Sequence, residues 1–268
     1  MQIFFLTLLG YAAATTTPSL RTRGAAVKKM WPAHIYEACR EPNTVALTFD
    51  DGLSPRARHI LAFLKQHNLP AAFFVLGQTI DPAWAEYAEN VAVLEEAVAD
   101  GHIIGNHSWS HPDLRTLSEA EVRAQIVETM DAVRDVIGVN PILFRAPMGY
   151  TDRQVDAVCS EYGIHTVHWN LDSDDWRAPP DPLVAVPGNV SKALDKLLPV
   201  PSRLRARARV GKTFATGMIL LQHVDNFDAE VQAEILKVLR DNNLRVVPLN
   251  ECLGIKPYRY KLFPAKKA

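Results

Sequence analysis

Short runs of apolar residues alternate along this chain with longer stretches in which apolar residues recur every three or four positions. Runs of the first kind predict buried strands, and stretches of the second kind predict amphipathic helices. Because the two alternate, the pattern favours a parallel α/β sheet or an incomplete, seven-stranded barrel with its site at the strand carboxyl ends. The predicted strands cover residues 45–49, 71–76, 103–104, 144–147, 165–171, 218–222 and 245–249.

Several predicted helices carry recognisable capping residues. Ser54 and Pro55 predict the start of the first helix, as its cap and its first-turn proline. The segment from Ser118 to Glu121 has the sequence of a capping box, and Gly138 marks the end of the helix that follows it.

Two stretches depart from the alternating pattern. Residues 177–187 are rich in proline and predict a loop. Residues 198–216 carry several basic side chains and predict an inserted loop, either solvated and flexible or in contact with an acidic substrate or cell wall.

The composition bounds the class of protein. With 268 residues, 48% of them hydrophobic and 22% charged, the chain can bury a full core in a single domain. A formal net charge of -1 creates no overall field that would attract nucleic acid or an anionic membrane. We expect no nucleic-acid partner and a monomeric protein, and its function must be inferred from individual sites.

The first residues predict export. Residues 1–14 are uncharged, mostly apolar, and end in small side chains, which is typical of a secretory signal peptide, although a buried strand or helix is the alternative. No later segment has 18 consecutive apolar residues, so we expect no membrane span. We assign residues 15–38 to an N-terminal extension and residues 255–268 to a C-terminal tail, and we expect a secreted, extracellular or cell-wall protein.

The chain has three cysteines, Cys39, Cys159 and Cys252, and none forms a C-x-x-C pair that would indicate zinc or redox chemistry. In an exported protein, the simplest arrangement is one disulfide and one free thiol. A bridge between Cys39 and Cys252 would join the two ends of the folded region, and we predict this pairing. The sequence leaves the other two pairings open.

Two carboxylates, Asp50 and Asp51, stand side by side at the end of a hydrophobic strand. Burying carboxylates there is costly unless a cation or another partner compensates. One of the pair could bind a metal ion while the other serves as a general base. Taken alone, a strand end of this kind is more often an ordinary turn.

His107 and His111 are four residues apart, a spacing that can direct both imidazoles to one point. With one aspartate they would form a His-His-Asp site that leaves a ligand position open for water. This composition indicates a catalytic metal centre, because structural zinc is normally closed by four protein ligands. An isolated pair would instead be consistent with two surface histidines.

Three further strand ends supply polar side chains. Arg145 offers a fixed cation, Asp175 adds a carboxylate, and His223 follows an apolar strand. Each has an ordinary explanation as a turn or a buried polar residue. Because they recur at successive strand ends, we interpret them as parts of a single site.

These segments, in this order, resemble the polysaccharide deacetylase family, also called the NodB-homology family or carbohydrate esterase family four. The resemblance covers residues 44–254, and residues 101–114, 169–172 and 251–254 look most like fungal chitin deacetylases. It implies a distorted (β/α) barrel with fewer than eight strands, and we assign residues 39–254 to the catalytic domain.

The resemblance also implies roles for individual residues. Asp51, His107 and His111 would bind a divalent metal, usually zinc, with cobalt or another divalent ion as the alternative. Asp50 would be the general base and His223 the general acid.

The resemblance also implies residues that hold these groups in place and residues that line the substrate pocket. Arg145 would hold the base, and Asp175 would orient the acid and tune its pKa. The backbone N–H of Met148 would stabilise the oxyanion, although the family usually has an aromatic residue there. The residues expected to line the substrate pocket are Trp176, Pro147 and Leu221.

The implied activity is removal of acetyl groups from N-acetylglucosamine residues of chitin or its oligomers, with release of acetate. The same groups could deacetylate xylan or peptidoglycan. Two other classes stay open on sequence grounds, namely a non-catalytic carbohydrate-binding relative and a cytosolic metal-dependent amidohydrolase.

Overall fold

The structure is a computed structural model that describes residues 33–177, 181–197 and 214–259. The predicted signal peptide lies outside the described residues, as do most of the N-terminal extension, residues 198–213 of the basic insertion and the tail beyond residue 259. No helix in the described ranges combines the length and apolar character needed to cross a membrane.

The fold is built on one curled sheet. It has nine strands in the order β1-β7-β6-β4-β3-β2-β9-β8, with β10 paired to β2. All of these pairs are parallel, whereas β5 and β11 form a separate antiparallel pair. In chain order the strands are β1 (Ile35–Tyr36), β2 (Thr44–Gly52), β3 (Ala72–Val75), β4 (Ile103–Asn106), β5 (Asn140–Pro141), β6 (Leu143–Phe144), β7 (His165–Val167), β8 (Leu171–Asp172), β9 (Met218–His223), β10 (Arg245–Val246) and β11 (Tyr258–Arg259).

Helices connect most of the strands and cover the outside of the sheet. They are α1 (Ala57–His67), α2 (Tyr87–Ala99), α3 (Glu119–Ile137), α4 (Arg153–Tyr162), α5 (Pro182–Leu197), α6 (Ala229–Asp241) and α7 (Leu249–Leu253). The predicted α/β class and distorted barrel are confirmed, because the parallel strands curl into a half-barrel that stays open between β1 and β8.

Every predicted strand position carries a strand. The nine strands of the sheet exceed the seven predicted because β1 is added at one edge and residues 165–171 form β7 and β8 rather than one strand. The strand predicted at 245–249 is shorter, since α7 begins at Leu249.

The central strand, β2, shows why the sheet forms. Its residues are buried along almost the whole strand, as expected for a parallel strand covered on both faces. It pairs with β3 on one side and β9 on the other, and the register places Asp50 beside His223. The functional residues at the ends of these strands therefore meet at one end of the barrel.

Local capping explains some helix boundaries. Ser118 and Glu121 form both hydrogen bonds of the predicted capping box at the start of α3, and Gly138 ends that helix in the left-handed conformation. Helix α1 begins later than predicted, at Ala57, after a turn through Ser54 and Pro55.

The prediction of a loop at residues 177–187 is wrong from Pro182 onward. Helix α5 begins at that residue and contains Pro187. A proline in the first turn costs no helical hydrogen bond, which accounts for Pro182 but not for Pro187. The helix buries Val186, Val190 and Leu194 against the main core. These side chains recur at helical spacing, so their burial outweighs the unfavourable interior proline.

The structure pairs Cys39 with Cys252, as predicted, and leaves Cys159 as a free thiol. Cys159 lies in α4, and burial raises the pKa of its thiol to about 12. It is therefore protonated and unreactive at neutral pH.

We expect reduction of this disulfide to destabilise the protein by ~3–5 kcal/mol, because the bridge spans 213 residues and restricts the unfolded chain. Urea unfolding with and without reductant would measure the loss. Cys159→Ala serves as the control and should keep the full sensitivity to reductant. A peptide map that pairs Cys159 with either other cysteine would contradict the assignment.

Candidate active site

The carboxyl ends of the strands enclose a cavity of about 410 Å³. Asp50 and Asp51 come from β2, His107 follows β4, and His223 ends β9. The structure thus brings the residues predicted from separate strand ends to one site.

Arg145 is fully buried and makes an ion pair with Asp50, with 2.8 Å between Nη1 and Oδ1. The same nitrogen donates to Thr48 Oγ1, also at 2.8 Å. Its Nε donates to the Val167 carbonyl at 2.9 Å and its Nη2 to the His168 carbonyl at 3.2 Å. The buried charge is therefore paired and hydrogen-bonded on several sides, which fixes Asp50 in position.

Asp51 lies between two imidazoles. Its Oδ1 is 3.3 Å from His107 Nε2 and 3.3 Å from His111 Nε2, and it is buried without a hydrogen-bond partner. One ligand atom from each of these three residues lies within 4.8 Å of the others, the only such cluster in the described parts of the chain. An unpartnered buried carboxylate oxygen facing two imidazole nitrogens is what a divalent cation would satisfy, so the residues fit a metal site.

The protonation states also suit metal binding. His107 Nδ1 lies 2.7 Å from the Arg145 carbonyl, which can only accept, so Nδ1 carries a hydrogen and Nε2 is the nitrogen left to face Asp51. Burial alone would raise the pKa of Asp51, but the histidines around it outweigh burial and lower it. Burial and the adjacent His107 lower the pKa of His111 despite the nearby aspartates. Asp51 is thus anionic and His111 neutral near neutral pH.

Two side chains hold the loop that carries the histidines. Asn106 accepts from the Ser108 N–H at 2.8 Å and donates to the Ile126 carbonyl at 2.7 Å. Ser108 Oγ in turn accepts from the His111 N–H at 3.1 Å. These contacts tie the loop to β4 and α3, so both imidazoles are held in place.

His223 is oriented by Asp175 through two contacts. The carboxylate oxygen Oδ1 is 2.7 Å from His223 Nδ1, and Oδ2 accepts from the His223 backbone N–H at 2.8 Å. Burial alone would lower the pKa of His223, but Asp175, with Asp50 and Asp51 further away, outweighs burial and raises it. The imidazole is therefore more readily protonated than an ordinary histidine.

Residues 37–167 match the family described as polysaccharide deacetylase. The chitin deacetylase of Colletotrichum lindemuthianum is 30% identical over 258 residues, which cover 94% of this chain and 97% of that protein. The chain belongs to the polysaccharide deacetylase family. The solved structure of the Colletotrichum enzyme superposes with a TM-score of 0.71 at 29% identity, covering 87% of this chain and 98% of that one.

Two bacterial members of the family match over part of their length. The peptidoglycan-N-acetylglucosamine deacetylase of Listeria monocytogenes is 38% identical over 134 residues, 50% of this chain and 27% of that protein. The peptidoglycan-N-acetylmuramic acid deacetylase of Bacillus subtilis is 31% identical over 241 residues, 87% of this chain and 45% of that protein. The chain therefore spans less than half the length of these two relatives.

The wall of the cavity includes two of the three residues predicted for the substrate pocket, Trp176 and Leu221. Met148, whose backbone N–H was predicted to stabilise the oxyanion, lines it as well. Pro147 does not, because it is buried at the start of the short turn in which Met148 faces the cavity. Its predicted place in the pocket therefore has no support in the structure.

Sequence reasoning missed five residues that line the cavity, namely Gly149, Tyr150, Trp169, Asp172 and Asn226. Trp169 Nε1 donates to Asp172 Oδ2 at 3.2 Å, and both residues fall in a segment that resembles chitin deacetylases. Tyr150 and Asn226 stand close to motif residues, but no pattern in the chain singles them out.

The metal-site residues also border a second cavity. Asp51 and His111 line this space of about 520 Å³, together with the partly exposed Trp84. Since the two cavities share these two residues, open space extends past the candidate metal site on both sides.

Replacing Arg145 should strongly destabilise the protein. Arg145→Met leaves Asp50, which is 3% exposed, without its cation, and we expect a loss of ~3–5 kcal/mol in the free energy of unfolding. Adding Asp50→Asn should recover part of this loss, as a denaturant-unfolding cycle would measure. Arg58→Met breaks an ion pair with Glu96 whose side chains are 43% and 40% exposed, and should cost under ~1 kcal/mol. Similar small losses for both arginine variants would contradict the proposed importance of the buried pair.

Proposed function

We propose that this protein is a metal-dependent enzyme that removes acetyl groups from N-acetylglucosamine residues of chitin or its oligomers and releases acetate. The observation that carries the proposal is the unpartnered Asp51 Oδ1 between two imidazole nitrogens, in the same cavity as Asp50 and His223. The near full-length match to a fungal chitin deacetylase supports chitin as the substrate. The partial matches to peptidoglycan deacetylases make peptidoglycan the main alternative.

Zinc is the proposed ion. Two imidazoles and one carboxylate with an open position form the ligand set of catalytic zinc sites. When bound, the ion would lower the pKa of a water molecule and polarise the acetyl carbonyl. Asp51, His107 and His111 would hold it.

Asp50 is the proposed general base. Its Oδ1 is occupied by Arg145, while its Oδ2 lies 3.7 Å from His107 Nε2, on the side of the metal ligands. A carboxylate fixed in this way can take a proton from the water that attacks the acetyl carbon. The backbone N–H of Met148, at the cavity wall, is proposed to donate to the resulting oxyanion.

His223 is the proposed general acid. Asp175 holds its Nδ1, so Nε2 is the nitrogen that can deliver a proton. Transfer of this proton to the sugar nitrogen allows the carbon–nitrogen bond to break, giving acetate and a free amine. The raised pKa of His223 favours the protonated form that this step needs.

Export is proposed from two observations. Disulfides persist mainly in oxidising compartments, and the pairing of Cys39 with Cys252 places one in this chain. The apolar, uncharged residues 1–14 are typical of a signal peptide. We therefore propose action outside the cell or in the cell wall.

The function can be tested by acetate release from chitin oligomers, acetylated xylan and peptidoglycan. We expect release from chitin oligomers that a chelator abolishes and zinc restores. A variant with both His107→Ala and His111→Ala should lose bound metal and activity. Asp50→Asn is the matched control, which should keep the metal while turnover falls ~10²-fold or more. Full metal occupancy in the double histidine variant would contradict the site, and release from peptidoglycan alone would contradict the substrate.

The pH dependence should report the pair of His223 and Asp175. If protonated His223 is the acid, activity falls as pH rises through its pKa, which Asp175 raises. Asp175→Asn removes the main favourable partner, so the alkaline limb of kcat should move to lower pH. Glu234→Gln removes an exposed carboxylate that pairs with Lys237 and should leave the limb in place. An unshifted limb in the Asp175 variant would exclude His223 as the titrating acid.

A further inference from the structure

Tyr150 lines the catalytic cavity yet keeps 44% of its surface exposed. The guanidinium carbon of Arg115 lies over its ring, 3.9 Å from the centroid. Because one face of the ring is covered in this way, the ring surface that remains open is available to the cavity. An exposed aromatic ring at the rim of a binding cavity is a common point of contact with a ligand.

Arg115 is itself held in place. Its Nε donates to Asp113 Oδ1 at 3.0 Å, and its Nη2 donates to Asp113 Oδ2 at 2.8 Å. A two-point contact between a guanidinium and a carboxylate fixes the plane of both groups. The arginine is thus oriented to support the Tyr150 ring.

The backbone before Tyr150 is shaped to place this ring. Met148 and Gly149 are both left-handed, with φ of 57° and 72°. A side chain at Gly149 would come within 2.7 Å of the Trp169 ring, so only glycine lets the chain pass there. The Tyr150 N–H then donates to the Pro147 carbonyl at 3.1 Å and closes the turn.

A second ring on the cavity wall is supported in the same way. Trp176 is 50% exposed, and the Arg177 guanidinium lies 4.2 Å from its ring centroid. Arg177 Nε in turn donates to Asp174 Oδ1 at 3.0 Å. The cavity therefore has two open aromatic rings, each backed by an arginine that an aspartate holds.

We propose that Tyr150, supported by Arg115 and Asp113, is a stacking platform for a sugar ring of the bound glycan. This inference rests on the proposed function, because it takes an acetylated polysaccharide as the ligand. The C–H groups on one face of a pyranose form an apolar surface that packs on an aromatic ring. In this role Tyr150 contributes to binding and not to the chemical step, and Arg115 and Asp113 act as positioning residues.

The test compares wild type with Tyr150→Ala, Tyr150→Phe and Arg115→Ala, using the chitin pentamer. Acetate release gives KM and kcat, and calorimetry gives Kd for the pentamer with each variant in an Asp50→Asn background. Tyr150→Ala should raise KM and Kd roughly fivefold to tenfold with kcat changed less than about twofold. Tyr150→Phe keeps the ring and should match wild type, while Arg115→Ala should raise KM about twofold to fourfold.

Arg245→Ala is the matched control. Arg245 also makes an exposed ion pair, with Glu251, but it lies in β10 beside the amino end of β2, away from the cavity. It should leave KM, kcat and Kd unchanged. Melting temperatures should stay close to that of the parent protein for the Tyr150, Arg115 and Arg245 substitutions, because these side chains are exposed.

The outcomes separate this inference from the proposed function. If wild type releases no acetate but Tyr150→Ala still weakens pentamer binding, the function is wrong and the platform stands. If wild type is active and Tyr150→Ala leaves KM and Kd unchanged, the platform is wrong. A fall in kcat without a change in KM, or a Tyr150→Phe variant as weak as Tyr150→Ala, would also overturn it.

Discussion

The buried ion pair between Asp50 and Arg145 is the contact on which the rest of the candidate active site depends. Burying a guanidinium away from solvent costs free energy unless its charge is paired and its N–H groups are hydrogen-bonded. Arg145 is hydrogen-bonded to groups from β2, to the Val167 carbonyl at the end of β7 and to the His168 carbonyl just after it. Its guanidinium carbon also lies 4.2 Å from the centre of the Phe74 ring in β3. Its own carbonyl accepts from His107. One residue therefore fixes the relative positions of several strand ends.

This arrangement assigns different environments to two adjacent carboxylates. Successive side chains of a strand normally point to opposite faces, yet Asp50 and Asp51 both reach the same cavity. The backbone makes this possible because Asp51 is left-handed, with φ of 66°. Asp50 receives its compensating charge from the protein, whereas Asp51 keeps an oxygen without a partner. The first is suited to proton transfer and the second to holding a cation.

The sequence is most informative where burial and local chemistry act together. Asp50, Arg145 and His223 stand out in the sequence because each follows a run of apolar residues that predicts a buried strand. Burying a polar or charged group there costs free energy unless it has a partner. The capping box of α3 is visible because it depends on four neighbouring residues. Both kinds of signal are local: the three polar residues lie near the carboxyl ends of their strands, and the capping box forms both of its hydrogen bonds.

Features that depend on distant parts of the chain were not predictable. Strand β1 has two residues, too few for any periodicity, and it exists only because β7 offers an edge. Helix α5 forms despite Pro187 because the core beside it has room for its apolar face. Tyr150 reaches the cavity only because Gly149 passes close to Trp169, a contact between separate segments. In each case the deciding partner lies outside the local sequence.

The backbone conformations show where the fold accepts strain. Outside glycine, the described residues with positive φ are Asn43, Asp51, Asn68, Ser108, His111, Met148, Asp174 and Asn243. Asparagine tolerates this region, and all three asparagines lie in turns away from the cavity. The other five belong to the segments that carry the candidate site residues. At Met148 the left-handed conformation costs ~1–2 kcal/mol, and the side chain forms no local hydrogen bond that would offset this cost. Such strain persists only if the surrounding structure is stable enough to hold it, and here the long buried strand β2 and the disulfide at the opposite end of the barrel provide that stability.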